Sequence, residues 1–186
     1  ELWFSKEERV DIIRLMVLIA KEDLSLQHFI SELKVSRNTV LTDLKKVDSK
    51  LQSEGLILNY GRKTGYFVTG SEYAKRQMIF VVLNRLSMQY RHSFLARKLC
   101  RISKENVQSM KNMILEIEGE LQVRFAGEMI ESNSCFFAVV FDRIQNGMVL
   151  DEIPDSFRHI VGTKEYTVMR MLANHRNVQN EFEIMY

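Results

Sequence analysis

The most informative segment of the chain is SRNTVLTDLKKV, residues 36–47. Serine is a preferred residue at the start of a helix, and Ser36 stands directly before an apolar series at helical spacing. Its members are Val40, Leu44, Val47 and Leu51, which recur at i, i+4, i+7 and i+11. The segment therefore predicts a helix with one buried face. At about 100° per residue, the opposite face carries short polar groups followed by lysines: Asn38, Thr42, Lys45, Lys46 and Ser49.

The segments on either side of this helix predict a winged helix-turn-helix. Upstream, residues 5–8 read Ser-Lys-Glu-Glu, a capping box that starts a helix over residues 6–21. A second, short helix follows Ser25. Downstream, residues 56–60 and 66–69 favour β-strands and flank the turn Gly-Arg-Lys-Thr-Gly, residues 61–65. Three helices followed by a hairpin with a basic tip are the elements of that motif.

The outward face of the third helix suits contacts with DNA. In helix-turn-helix proteins the first turns of this helix meet base edges in the major groove, while cations and the helix N-terminus bind phosphate. Asn38 can pair with adenine, Arg37 with guanine or phosphate, and Thr42 with a base or the thymine methyl group. We therefore predict double-stranded DNA as a partner and the following contact residues: Ser36, Arg37, Asn38, Thr39, Thr42, Lys45, Lys46, Arg62 and Lys63.

After about residue 72 the pattern is helical throughout. Gly70-Ser71-Glu72 predicts a junction, and further helices are expected over residues 73–90, 92–100, from Ser103 to Leu121, 134–146 and 163–174. The predicted fold class is mainly α: a winged helix-turn-helix with a two-stranded wing, followed by an all-α bundle. The expected domains are residues 1–72 and 73–186.

Composition excludes several classes of protein. Of the 186 residues 46% are apolar and 27% charged, which is enough to build a core. No uncharged apolar run reaches the length of a membrane span. Cys100 and Cys135 are too few for a disulfide framework and fit a reducing compartment, so a cytoplasmic protein is expected. Residues 61–65 lack phosphate-loop spacing, and His and Cys lack metal-ligand spacing. We therefore expect no enzyme activity, cofactor or metal.

Charge is distributed unevenly along the chain. Residues 73–104 contain eight basic and no acidic side chains, whereas residues 105–186 carry seven basic and thirteen acidic ones. Two alternatives to DNA binding remain open at this point. The winged helix and the basic segment 73–104 could together bind an acidic protein, or a small effector could bind in the helical core.

The segment VSRNTVLTDLKKVDSKL (residues 35–51), together with GRKTGYFVTGSE (residues 61–72) and Arg76, resembles a known family. It is similar to the winged helix of bacterial PRD-containing transcription regulators of the BglG/LicR/MtlR activator type, to which Mga-like virulence regulators are closely related. PRD denotes the phosphotransferase-system regulation domain. The resemblance implies a transcription regulator, in most relatives an activator, of carbohydrate or virulence genes.

The C-terminal part resembles a PRD, a helical module that dimerises. The resemblance lies in FFAVVFDR (residues 136–143) followed by Gly147, and in EFEIMY (residues 181–186). It implies a homodimer formed through the helical domain and regulation by phosphocarrier proteins of the phosphotransferase system. Phe136 stands where the family has its first regulatory histidine, so this position cannot be phosphorylated. Because the chain lacks an initial Met and stops in mid-pattern, we expect a fragment whose regulatory input comes from elsewhere. We also expect Phe136, Phe137 and Phe141 to form a permanent contact between subunits.

Overall fold

The computed structural model describes residues 4–186, which form helices and one β-hairpin. These residues divide into two compact units. The first ends at Arg101 and the second spans Ile102–Tyr186. Both the winged helix-turn-helix and the helical bundle predicted from the sequence are confirmed.

The first unit contains a winged helix and the helices that follow it. In chain order its elements are α1 (Lys6–Ile19), α2 (Leu26–Leu33), α3 (Arg37–Gln52), β1 (Ile57–Gly61), β2 (Gly65–Thr69), α4 (Glu72–Asn84), a π-helical turn (Arg85–Gln89) and α5 (Ser93–Cys100).

The central element of this unit is α1. Its apolar side chains are buried around most of its circumference, with Val10, Ile12, Ile13 and Leu15 fully covered. It contacts α3 and β2 as well as α4 and α5. A helix that is apolar on nearly all sides belongs inside a bundle. Consequently α1 is the scaffold on which the other elements of the unit are placed.

Local sequence signals determine where the helices begin. At Ser5 both halves of the predicted capping box form, with Glu8 N–H donating to the serine oxygen and Ser5 N–H donating to the Glu8 carboxylate. Ser25 occupies the predicted cap position of α2, where its N–H donates to His28 Nδ1 at 2.9 Å. Ser71 caps α4 at the predicted junction, and Ser103 caps the helix that was expected to start there. Each signal acts within one helical turn and is therefore legible in the sequence.

The predicted domain boundary after residue 72 differs from the division between the compact units. Helix α4 buries Met78, Ile79, Val82 and Leu83, and it packs against α1. The following π-helical turn and α5 also contact α1. Since these elements complete the core around α1, the first unit continues to Arg101.

The second unit is entirely helical. Its elements are α6 (Lys104–Leu121), α7 (Gly127–Gln145), a 3₁₀ turn (Asp155–Ile160), α8 (Lys164–His175) and α9 (Glu181–Met185). Helix α6 packs against α7 and α8, and α8 packs against α9. Val107, Met110 and Ile117 of α6 are buried in this core, as their spacing predicted.

Two features of the second unit differ from the sequence-based expectations. Helix α7 begins at Gly127, seven residues before the expected start at Ser134, because its first two turns are mixed in polarity and lack a side-chain cap. The helix α9 was not predicted. It is held by tertiary contacts, in which Leu150 N–H donates to the Glu183 carboxylate at 2.7 Å and Asn180 Nδ2 donates to Leu150 O at 2.9 Å.

Candidate nucleic-acid interface

Helix α3 presents the polar face that its sequence predicted. Val40, Val47 and Leu51 are fully buried, which turns the other side of the helix outward. The side chains predicted to meet DNA lie on that side, and most of them are exposed: Ser36, Arg37, Asn38, Thr42 and Lys45 are exposed, and Thr39 and Lys46 are half-buried. The helix therefore offers a contiguous surface of donors and cations to solvent.

Hydrogen bonds at the start of α3 occupy three of the predicted contact residues. The Ser36 hydroxyl accepts from Thr39 N–H at 3.2 Å and lies 2.9 Å from the Thr39 hydroxyl. The Thr42 hydroxyl donates to the Asn38 carbonyl at 3.0 Å. Ser36 and Thr39 thus stabilise the helix N-terminus, and the Thr42 oxygen remains an acceptor beside its methyl group. The side chains of Arg37 and Asn38 extend from the exposed first turn.

A buried ion pair joins α3 to α1. Arg9 Nε donates to Asp43 Oδ2 at 2.7 Å, and Arg9 Nη2 donates to Asp43 Oδ1 at 3.4 Å. The Asp43 side chain is only 1% exposed. A two-point contact between guanidinium and carboxylate restricts orientation as well as distance. Together with the buried apolar side chains of α3, it therefore helps to set the rotation of α3 about its own axis.

A second, exposed link lies further along α3. Glu7 of α1 accepts from Lys46 Nζ at 3.4 Å and from Lys50 Nζ at 3.0 Å. Hydrogen bonding to Lys50 holds the pKa of the Glu7 carboxyl below its ordinary value. Lys46 is one of the predicted phosphate ligands. In this structure its positive charge is partly neutralised by the Glu7 carboxylate.

The wing is attached to the helices by an aromatic cluster at its base. Tyr66 N–H donates at 2.7 Å to the carbonyl of Leu24, a residue in the connection between α1 and α2. The Tyr66 ring meets Phe29 of α2 edge-on at 5.5 Å between centroids and lies 4.8 Å from the Tyr60 ring. Burial raises the pKa of the Tyr66 phenol, Tyr60 adds to the rise, and the positive charge of Arg37 opposes it. The positive charge of Arg37, in the first turn of α3, therefore acts on the phenol of Tyr66 at the base of the wing.

The tip of the wing is predictable from the sequence, whereas this attachment is not. Arg62 and Lys63 lie exposed in the turn between Gly61 and Gly65, as predicted. The attachment depends on Leu24 and Phe29, whose partners are about forty residues away in the chain. The sequence feature that could have indicated this attachment is the aromatic pair Tyr60 and Tyr66, which face each other across the hairpin.

The basic segment 73–104 is less positive at its surface than its composition suggests. Arg76 is fully buried and pairs with Glu72. Arg85 pairs with Asp11 at 3.1 Å, Lys98 with Glu32 at 2.6 Å, and Arg101 with Glu22 at 3.2 Å. At least four of the eight basic side chains therefore have acidic partners within the first unit. These pairs offset part of the charge on which binding of an acidic protein would depend.

Phe136, which the resemblance to a PRD aligns with a regulatory histidine, is buried within the second unit. It is 6% exposed, and its ring centroid lies 5.8 Å from that of Phe137 and 6.3 Å from that of Tyr186. Phe137 and Phe141 are half-buried against the same core. All three side chains therefore contribute to the stability of their own unit. Because Phe136 is almost completely covered by its own unit, little of its surface is available for the expected contact between subunits.

The described part of the chain shows neither a metal site nor a membrane-spanning helix. Within residues 4–186 no three His, Cys, Asp or Glu side chains converge as metal ligands would. His92 lies 3.0 Å from the Glu8 carboxylate and packs edge-on against Phe4 at 5.6 Å. This histidine has a structural role at the start of α1. Over the same residues, no helix combines the length and apolar character needed to cross a bilayer.

Comparison with known proteins agrees with this geometry. Residues 4–83 match the Mga helix-turn-helix domain family, and the match extends through most of α4. Over 162 residues the chain is 24% identical to the protein described as "Probable licABCH operon regulator" of Bacillus subtilis (strain 168). The alignment covers 86% of this chain and 25% of that relative, so the chain spans about a quarter of the relative's length.

The fold and the exposed face of α3 define a winged helix-turn-helix module, and the comparisons support a DNA-binding transcription regulator. More narrowly, the N-terminal part of the chain is similar to the Mga helix-turn-helix domain over residues 4–83, and the resemblance to PRD-containing transcription regulators is confirmed.

Proposed function

We propose that this chain is the DNA-reading part of a transcription regulator and that it recognises a specific duplex sequence through α3. In this proposal Arg37, Asn38 and Thr42 read base edges, while Lys45 and Lys46 bind phosphate. Arg62 and Lys63 of the wing contact the adjacent backbone or groove. Ser36 and Thr39 hold the first turn of α3 in position, with the helix N-terminus directed at phosphate.

The observation that carries the proposal is the exposed face of α3. Arg37, Asn38, Thr42 and Lys45 are open to solvent on a helix whose other side is buried and whose rotation is further restricted by the Arg9–Asp43 pair. A solvated surface helix has no need of a buried ion pair to fix its rotation. A helix that must place a few side chains against base edges does need a defined orientation.

The double substitution Arg37→Ala, Asn38→Ala tests this proposal. Duplexes are first selected from a random library with the unaltered chain, and affinities are then measured by fluorescence anisotropy at two salt concentrations. Loss of base contacts should weaken binding to the selected duplex by at least about tenfold, since base-reading side chains contribute roughly 1–3 kcal/mol each. Binding to unrelated duplexes should change much less, so the preference between sequences should shrink.

A matched control is Asn112→Ala, Arg158→Ala, which removes the same two residue types from exposed positions in the second unit. This control should leave both affinity and preference unchanged. Salt dependence alone would not separate DNA from an acidic protein as partner, because both interactions are electrostatic. Failure of the unaltered chain to enrich any duplex would contradict the proposal.

We further propose that the helical second unit contributes to homodimerisation and relays a regulatory signal. A two-fold dimer would place two α3 helices about one turn of DNA apart, roughly 34 Å or a multiple. The support for this step is the resemblance to PRD modules and to the operon regulator of Bacillus subtilis. By the same analogy, the controlled genes belong to a carbohydrate phosphotransferase system or a virulence programme, activation is the expected outcome, and the site of action is the cytoplasm.

Phosphocarrier proteins would act on parts of the regulator other than Phe136, because a phenyl ring has no atom that accepts a phosphoryl group. Sedimentation of the chain alone and with the selected duplex tests the dimer. A 1:1 complex on a duplex that holds two half-sites would contradict it.

A further inference from the structure

Leu41 interrupts the polar surface of α3. Its side chain is 37% exposed, and within α3 no other large apolar side chain is exposed to this extent. Residues three or four positions apart on a helix are surface neighbours. Leu41 is therefore flanked by Arg37, Asn38 and Lys45, three of the residues proposed to contact DNA.

Leu41 lies at the edge of the buried face of α3. The helix buries Val40 and Leu44 on its inner side, at 0% and 5% exposure, whereas more than a third of the Leu41 side chain stays open to solvent. A single exposed leucine is common on protein surfaces. Here, however, it lies among hydrogen-bonding and cationic groups on the surface that would enter the groove.

An apolar side chain in the major groove has one specific partner among the bases. Thymine alone carries a 5-methyl group, and an apolar contact with that methyl is a recognised means of direct readout. Cytosine at the same position would present an amino group, which a leucine cannot satisfy.

We propose that Leu41 is a specificity-determining residue that reads the 5-methyl group of a thymine in the bound DNA. This inference rests on the function proposed above and adds one base preference to it. Arg37 and Asn38, one turn earlier on the helix, would read neighbouring bases by hydrogen bonds. Leu41 would supply an apolar contact between their positions and the phosphate contact of Lys45.

Replacing thymine by uracil tests the assignment, because it removes the methyl group and leaves base pairing intact. Each thymine of the selected duplex is replaced in turn, and anisotropy titrations compare the unaltered chain with Leu41→Ala. At one position, uracil should weaken binding of the unaltered chain about three- to fivefold, the effect of one methyl group leaving an apolar contact. At that position Leu41→Ala should bind the thymine and uracil duplexes equally well.

The control is Leu115→Ala, which removes a leucine of similar exposure (44%) from α6 in the second unit. It should keep the full sensitivity to uracil. Thermal unfolding of each variant shows that the alanine substitutions leave the fold intact.

Two results would overturn the inference while leaving the proposed function standing. One is a selected duplex in which no uracil replacement matters. The other is an equal loss for the unaltered chain and Leu41→Ala at every position, since the effects must be non-additive if the two groups touch. If the unaltered chain selects no duplex at all, the proposed function fails and this inference fails with it.

Discussion

Replacing Gly65 with alanine should detach the wing from the helices and destabilise the first unit by about 3 kcal/mol. Gly65 has a φ of +61°, a conformation that disfavours side chains, and an added Cβ would lie 2.3 Å from the Leu24 carbonyl oxygen. That carbonyl accepts the Tyr66 N–H, so relieving the clash breaks the hydrogen bond that joins the wing to the connection between α1 and α2. Thermal unfolding should show a fall in Tm on the order of 15 °C.

Gly55→Ala is the matched control for this experiment. Gly55 also has a positive φ, +71°, but an added Cβ would find no atom within 4 Å. Only the backbone cost remains, about 1 kcal/mol. The difference between the two variants isolates the contact with Leu24. Equal losses at Gly55 and Gly65 would show that the wing is not held at this point.

The Gly65→Ala variant should also bind the selected duplex more weakly, with a smaller change in its preference between sequences. Arg62 and Lys63 sit on the turn that Gly65 closes, so a detached wing no longer holds these two cations in place for contacts with DNA. Anisotropy at a temperature well below the Tm of the variant separates this effect from unfolding.

Asp43→Ala should be similarly damaging, at about 3–5 kcal/mol, because it leaves the Arg9 guanidinium without its counter-ion in a largely buried position. The Arg9 and Asp43 side chains are 15% and 1% exposed. Without the pair, α3 also loses a contact that helps to set its rotation. Urea unfolding measures the change in free energy, and binding to the selected duplex should weaken at a concentration of urea where the variant remains folded.

Two further variants separate this buried pair from ordinary surface charge. Glu7→Ala removes the exposed partner of Lys46 and Lys50, and should cost less than about 1 kcal/mol. The double substitution Arg9→Met, Asp43→Leu removes both charges together and should recover much of the stability lost in Asp43→Ala. An Asp43→Ala variant as stable as Glu7→Ala would contradict the structural role of the pair.

Much of the candidate interface was predictable because its signals are local. The cap at Ser36, the apolar spacing from Val40 to Leu51, and the glycines around Arg62 and Lys63 each act within a few residues. Helix periodicity alone shows which side of α3 faces outward once its apolar residues are known to be buried. Assignment of individual residues to DNA stays a prediction that the binding experiments test.

Other parts of the interface depend on residues far apart in the chain. Asp43 lies on the buried side of α3, and only its pairing with Arg9, thirty-four residues earlier, explains a carboxylate there. The backbone carbonyl of Leu24 accepts a hydrogen bond from the wing. A backbone contact of this kind does not depend on the residue type, so the sequence gives no sign of it. Leu41 was not singled out from the sequence because it lies at the edge of the apolar stripe of α3, where periodicity does not decide between burial and exposure.

Sequence alone establishes the order of elements, since helix caps, apolar periodicity and turn residues are interactions between near neighbours. It also establishes the chemical character of the outward face of α3. The tertiary structure decides what each apolar face packs against. The apolar stripe of α4 is legible in residues 72–84, but its partner is α1, and this contact extends the first unit to Arg101. An apolar stripe specifies burial without specifying a partner, because the hydrophobic effect has no direction.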